Sequence, residues 1–261
     1  MHILVILKMV PDVVEELEIA PDGKALNTDY LRMILSESDD HALEQALLLK
    51  ERHGGNVTVV AFDAPEVDDT LFAALAKGAS RAVKIVGAEP GMTTSGAGRL
   101  LARILVQEPA LLPAGLVLAG VQAIDDLDAL VAPLLAHQLA MPYLGIVTRV
   151  ALDPSGETAS VLKEYPGGVR GEFEVRLPAV LGIQGAEKPP RYVPVAKVRA
   201  AMKSQKIDTV QAPALTGGDL RLVEVLGMNK PQLTGHAEML EGSPAEVSSR
   251  LCEILAGRGV F

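Results

Sequence analysis

At 261 residues with 49% hydrophobic content, the chain can bury one large core, and aromatics at 3% with no Trp argue against a base-stacking nucleic-acid platform. A formal net charge of −9 disfavours a phosphate-backbone ligand, so no nucleic acid is expected as a partner. The single cysteine, Cys252, excludes an internal disulfide or a Cys-based metal cluster within this chain, and a reducing cytoplasm is the expected compartment. No apolar run reaches the ~20 residues needed to span a bilayer, so no membrane insertion is expected.

In chain order, residues 3–7 read as a buried aliphatic strand and residues 17–26, around Pro21, Asp22 and Gly23, as a hairpin. Residues 39–52 place Ala42, Leu43, Ala46, Leu47 and Leu49 on one broad helical face. A second strand (57–62), a second helix (68–77, closed by Gly78) and a third strand (82–86) follow. Thr93, Thr94 and Ser95 open a third helix, whose apolar run covers 100–106. After a fourth strand at 116–119, Asp125 and Asp126 open a helix leading to Leu139, in which Pro133 demands a kink or a later start. This alternation predicts a doubly wound, mostly parallel α/β sheet with right-handed crossovers.

From 143 to 183 the pattern turns strand-rich, with Asp153, Pro154, Ser155 and Gly156 as a turn between 148–152 and 159–163. Beyond about residue 206 the chain becomes rich in Pro, Gly and Thr, and returns to one amphipathic helix at 244–256. Residues 1–205 are thus expected as the α/β domain and 206–261 as a C-terminal extended arm, too small for a core of its own. Two placements stay open: on another subunit, or back on its own domain.

Little in the sequence looks like bond-making chemistry. The five histidines show no paired spacing, and no nucleophile elbow or phosphate-binding P-loop is present. Residues 8–12, after the first strand, contain no glycine to let a pyrophosphate approach, which disfavours an ordinary dinucleotide site. Gly96 and Gly98 suit a helix cap and a tight helix approach better than a phosphate cradle. Residues 120–126 are more informative, because they leave a buried strand and enter a helix, where open α/β sheets hold ligands. Two readings of Asp125 and Asp126 remain open: acceptors for a ribose, or helix-terminal charges worth ~0.3–1 kcal/mol each.

Five fragments in order resemble one family. GVQAIDD (120–126) resembles the G-x-Q-A-I-D-D motif of electron transfer flavoprotein beta subunits. Lys163 and Glu164 with Gly167 and Gly168, then Leu177, Pro178, Ala179, Val180 and Leu181, resemble that family's E-x-x-G-G and L-P-A-V signature. Residues 188–192 (KPPRY), 8–12 (KMVPD) and 76–82 (AKGASRA) are similar to three further elements. The likeness covers residues 1 to about 205 and is weaker in the arm.

The resemblance implies an adenine-nucleotide alpha-hydrolase-like version of the doubly wound sheet. It also implies a heterodimer with an alpha subunit that holds most of the redox FAD, so that this chain is a carrier subunit without catalytic residues. Electrons would come from a partner dehydrogenase and go to an acceptor such as a quinone oxidoreductase. An adenine nucleotide in the beta fold, AMP or a second FAD, is implied too. Its site would use Ile6, Ser36, Asp39, Asp63, Gln122, Asp125, Asp126, Ala129, Val131 and Ala132. Here the chain departs from the family pattern. Ala129, Leu130, Val131 and Ala132 stand where amide and hydroxyl groups and a bare glycine are usual, and Asp128 adds negative charge. Side-chain donors are gone, at roughly 1–3 kcal/mol per lost charged hydrogen bond, so a degenerate or empty site is also open.

Arg191, Tyr192, Val195, Lys197 and Val198 occupy the place of the family's recognition loop for dehydrogenases, with Val195 at the anchoring position. Read without the resemblance, the segment is the start of an amphipathic helix. Two other classes remain to be weighed: a nucleotide-hydrolysing or adenylating enzyme, and a homodimeric nucleotide-binding stress protein.

Overall fold

In a computed structural model of the protein, which describes all residues except 30, 89–91, 127, 215–223, 232–234, 236 and 261, the aliphatic runs form the centre of one sheet. The first strand, β1 (His2–Leu7), shows why these runs do not alternate with polar residues. Its pleat sends Ile3, Val5 and Leu7 into one half of the core and Leu4 and Ile6 into the other.

The elements follow as β2 (Met9–Pro11), β3 (Met33–Leu35), α1 (Glu37–His53), β4 (Asn56–Phe62), α2 (Val67–Lys77), β5 (Arg81–Val86), α3 (Thr94–Gln107) and β6 (Leu116–Gly120). Then come α4 (Val131–Gln138), β7 (Tyr143–Leu152), β8 (Thr158–Glu164), β9 (Arg170–Arg176), β10 (Ala179–Ile183), α5 (Val195–Ser204), β11 (Ile207–Gln211) and α6 (Pro244–Gly257). Nine strands pair in the order β11-β5-β4-β1-β6-β10-β7-β8-β9. All neighbours are parallel except β7–β8 and β8–β9. Helices α1, α2 and α5 pack on one face and α3 and α4 on the other, which is the layered arrangement a doubly wound sheet requires. β2 and β3 form a separate antiparallel pair.

The fourth helix takes the later start that Pro133 demands, at Val131, so the proline falls in its first turn, where its missing N–H costs nothing. Other elements differ from expectation. The expected hairpin at 17–26 is reduced to one bridge, Ile19 to Leu26. The parallel sheet takes up residues 207–211 as an edge strand, just beyond the expected division at 205. Part of the segment 206–261 lies outside the described residues. Among the described residues no helix is long and apolar enough to cross a membrane.

Candidate functional site

The chain leaves β1 toward β4 on one side of the sheet and builds β6 and β10 on the other, so a crevice opens beyond the carboxyl ends of β1 and β6. Lys8 follows β1 directly and stands in it. Its backbone N–H donates to Asp39 Oδ2 at 3.0 Å, and its Nζ donates to Asp125 Oδ1 at 2.6 Å and Asp126 Oδ2 at 2.7 Å. Asp39, in the first turn of α1, also accepts the Gly120 N–H on Oδ1 at 2.6 Å. That contact explains the glycine: a Cβ on residue 120 would lie 2.7 Å from Asp39 Oδ1 and 2.9 Å from the Asp39 nitrogen. Ser38 Oγ donates to the Gln122 carbonyl at 2.7 Å, fixing α1 to the loop after β6.

Burial pushes the Asp39 carboxyl up to about 7, against the pull of the Gly120 and Lys8 amides and the Lys8 charge. For Lys8 burial acts downward, but its hydrogen bonds and charge contacts with Asp125 and Asp126 outweigh it and raise the ammonium above the usual lysine value.

Of the residues expected at a nucleotide site, Ile6, Asp39, Gln122, Asp126, Ala129 and Val131 line a single cavity of about 40 Å³. Asp125 borders the cluster through Lys8, and Ala132 is buried behind it, in the core half under α4. Ser36 faces a neighbouring concavity. Asp63 is not brought to the crevice: it follows β4 and its half-exposed carboxylate lies 3.5 Å from Lys84 Nζ. Ala129 takes a left-handed conformation at φ 56°, and the Leu130 N–H beside it donates to Asp128 Oδ1 at 3.1 Å. One amide at the helix entry is thus already met by a carboxylate of the chain itself.

The neighbouring concavity encloses about 890 Å³ and shares Val121, Gln122, Ala123 and Ala129 with the crevice. Val10, Val13, Ile124, Tyr143 and Ile146 supply its apolar wall, with His41 and Lys163 also lining it. Ile146 sits at φ 61°, a conformation a β-branched side chain avoids, beside the register shift between Val147 and Arg149. Such strain is held where surrounding structure dictates it, and it frequently marks a ligand wall.

In the segment before α5, Arg191 turns inward and holds Glu44 and Glu51 of α1, whereas Tyr192 and Val195 are 84% and 61% exposed. Lys197 is exposed and Val198 half-buried. Lys8, Tyr143 and Ile146 were not picked out as site residues from the sequence, whereas Ser38 lies in the loop from Ser36 to Asp39 that the resemblance implied. For Lys8 a signal existed, a lone cation at the carboxyl end of the first strand facing an acidic pair at the end of the fourth expected one. The residues after β1 form β2 in place of a glycine-rich phosphate loop, which leaves the nucleotide-hydrolysing alternative unfavoured.

The model of the electron transfer flavoprotein domain matches residues 24–215. The electron transfer flavoprotein subunit beta of Methylophilus methylotrophus is 31% identical to this chain over 98% of both sequences. That of Clostridium acetobutylicum is 34% identical, over 78% of this chain and 76% of its own length. The mitochondrial subunit of Arabidopsis thaliana is 29% identical, over 88% and 90%. With the doubly wound sheet and the five sequence fragments in order, these likenesses place the chain in the electron transfer flavoprotein family, among its beta subunits.

Proposed function

We propose that this chain is the non-catalytic half of a heterodimeric electron carrier in the cytoplasm, and that it closes a flavin site held mainly by an alpha subunit. Electrons then pass from a flavin dehydrogenase, through the complex, to an acceptor such as a quinone oxidoreductase. The concavity of about 890 Å³ carries this reading, because it has the size of a cofactor site and is left half open. The FAD bound there supplies the redox chemistry.

The chain's own residues shape its surroundings. Val13, Ile124 and Ile146 exclude water from one side, while His41 and Lys163 can donate hydrogen bonds to the bound group. Tyr192 and Val195 offer an exposed apolar tip beside Lys197, suited to an acidic groove on a dehydrogenase. Arg191 anchors that tip from behind, and Val198 seats it. Beyond β11 the C-terminal segment with α6 lies on the alpha subunit in this reading, since α6 buries no residue of its own.

Co-expression with an alpha-type partner tests the proposal. One FAD per heterodimer, together with a colourless chain when it is expressed alone, is the expected result. A solitary chain that holds FAD tightly, or that turns over a nucleotide, would overturn it.

A further inference from the structure

We infer that the crevice beyond β1 and β6 is narrowed by the chain's own side chains, takes water in place of an adenine nucleotide, and works as an ion-pair joint. The family resemblance implies AMP or a second FAD at this place, and three properties of the residues present do not fit either.

Space is the first. A cavity of about 40 Å³ is far below the roughly 300 Å³ at which small-molecule sites begin, but it exceeds the ~10–15 Å³ that one water needs. Charge is the second. Asp39 and Asp126 line the cavity, Asp125 and Asp128 adjoin it, and Lys8, the cation lining it, is already engaged by two carboxylates. A phosphate dianion would meet like charge without an uncommitted partner. The third is the supply of donors. Ala129, Leu130, Val131 and Ala132 carry no polar side chain, so a phosphate could look only to the backbone amides at the start of α4, of which that of Leu130 already serves Asp128.

What the cavity does need is a donor. Asp126 Oδ1 is buried without a hydrogen-bond partner among the described residues, and a buried acceptor of this kind is costly unless something donates to it. A water in the cavity answers that need. A ribose hydroxyl could also donate, but only with its base and phosphate attached, for which there is no room.

The joint has a structural purpose. Lys8 ties the end of β1 to α1 through its amide and to the loop before α4 through its ammonium, so that three segments are fixed around one residue. The crevice is the back wall of the larger concavity, since the two share the stretch from Val121 to Ala123. A rigid back wall needs no nucleotide when an ion pair supplies it.

The test uses the purified heterodimer, denatured, with FAD and AMP counted separately in the supernatant, and the thermal midpoint measured with and without millimolar AMP. FAD without AMP, and a midpoint that AMP does not move, are expected. AMP released in step with FAD, or a midpoint raised by AMP, would overturn the inference while leaving the proposed function intact. Absence of FAD would instead count against the proposed function. Lys8→Met should lower the midpoint, and adding Asp126→Asn should recover part of the loss, because the second change removes the more buried of the two carboxylates left unpaired. A Lys8→Met heterodimer of unchanged midpoint would rule out the joint.

Discussion

Asp39 carries two opposed demands, since its carboxyl is almost fully buried yet receives two backbone N–H groups that favour its ionised form. Burial wins, and the group titrates at about 7 when folded against 3.8 ordinarily. A folded value above the unfolded one means that the native chain binds more protons between those limits, so this residue's contribution falls as pH rises from about 4 to 7. The charged groups facing it are Lys8 and Asp126, which pull in opposite directions. In Asp39→Asn the side chain keeps one acceptor but presents an NH2 to the second amide, at a cost of about 1–3 kcal/mol. Urea unfolding of the wild type and the variant at pH 5 and pH 8 should show the gap between them narrowing at the higher pH. A gap that widens would mean that the carboxylate is comfortably charged in the folded chain. Asp39 could be marked from the sequence only through the family resemblance, and Lys8 only as part of a motif. An isolated lysine in sequence is most simply a solvated charge, and only the chain fold shows which acids it meets.

At the scale of elements, the segment before α5 is held by Arg191, whose guanidinium contacts Glu44 and Glu51 on α1. The hydrogen bonds to those two carboxylates raise its basicity still further, so it stays charged throughout. Glu44 is only 4% exposed, and without Arg191 its carboxylate would be buried uncompensated. Arg191→Ala should therefore cost about 3 kcal/mol, and Arg191→Lys should recover only part, because a lysine cannot reproduce the planar fork. Denaturant midpoints of the three proteins check this, and an Ala variant as stable as the wild type would refute the clamp. The aliphatic strands and α1 to α3 were legible because deep burial demands uninterrupted apolar runs and broad helical faces. β9 was less so, since Arg170, Glu172, Glu174 and Arg176 make a charged edge strand that carries no burial signal. β11 is another edge, with Asp208 in its middle, paired to Arg81. The start of α4 was legible only through Pro133, because Asp125 and Asp126 resemble a helix opening, yet both carboxylates are committed to Lys8.

Across the whole molecule, the parallel centre of the sheet is buried on both faces, while the antiparallel extension buries Val147, Val150, Ala159 and Val161 yet leaves its far edge open, as α6 is. Tyr165, Val169 and Phe173 are exposed around β9, and α6 leaves Leu251 exposed without burying any residue. Among the described residues, the later ones touch the domain through surface contacts: the Met228 N–H to the Gly23 carbonyl, Lys24 to Glu224, and Lys230 to Glu16. Solvent screens such pairs, so they order the segment more than they stabilise the domain. Truncation after Ala212 keeps β11 in the sheet, where it pairs along β5. The shortened chain should therefore unfold within about 4 °C of the full one when each is heated alone, a shift worth no more than about 1 kcal/mol for a domain of this size. In the presence of the alpha-type partner it should fail to form a heterodimer on size exclusion and should retain no FAD. A truncated chain that still assembles would move the interface to the antiparallel extension alone. A large loss of stability in the lone chain would show the segment to be part of its own core. Marginal attachment together with an unpartnered amphipathic helix is what a surface built for a second chain requires, and the two measurements separate those roles.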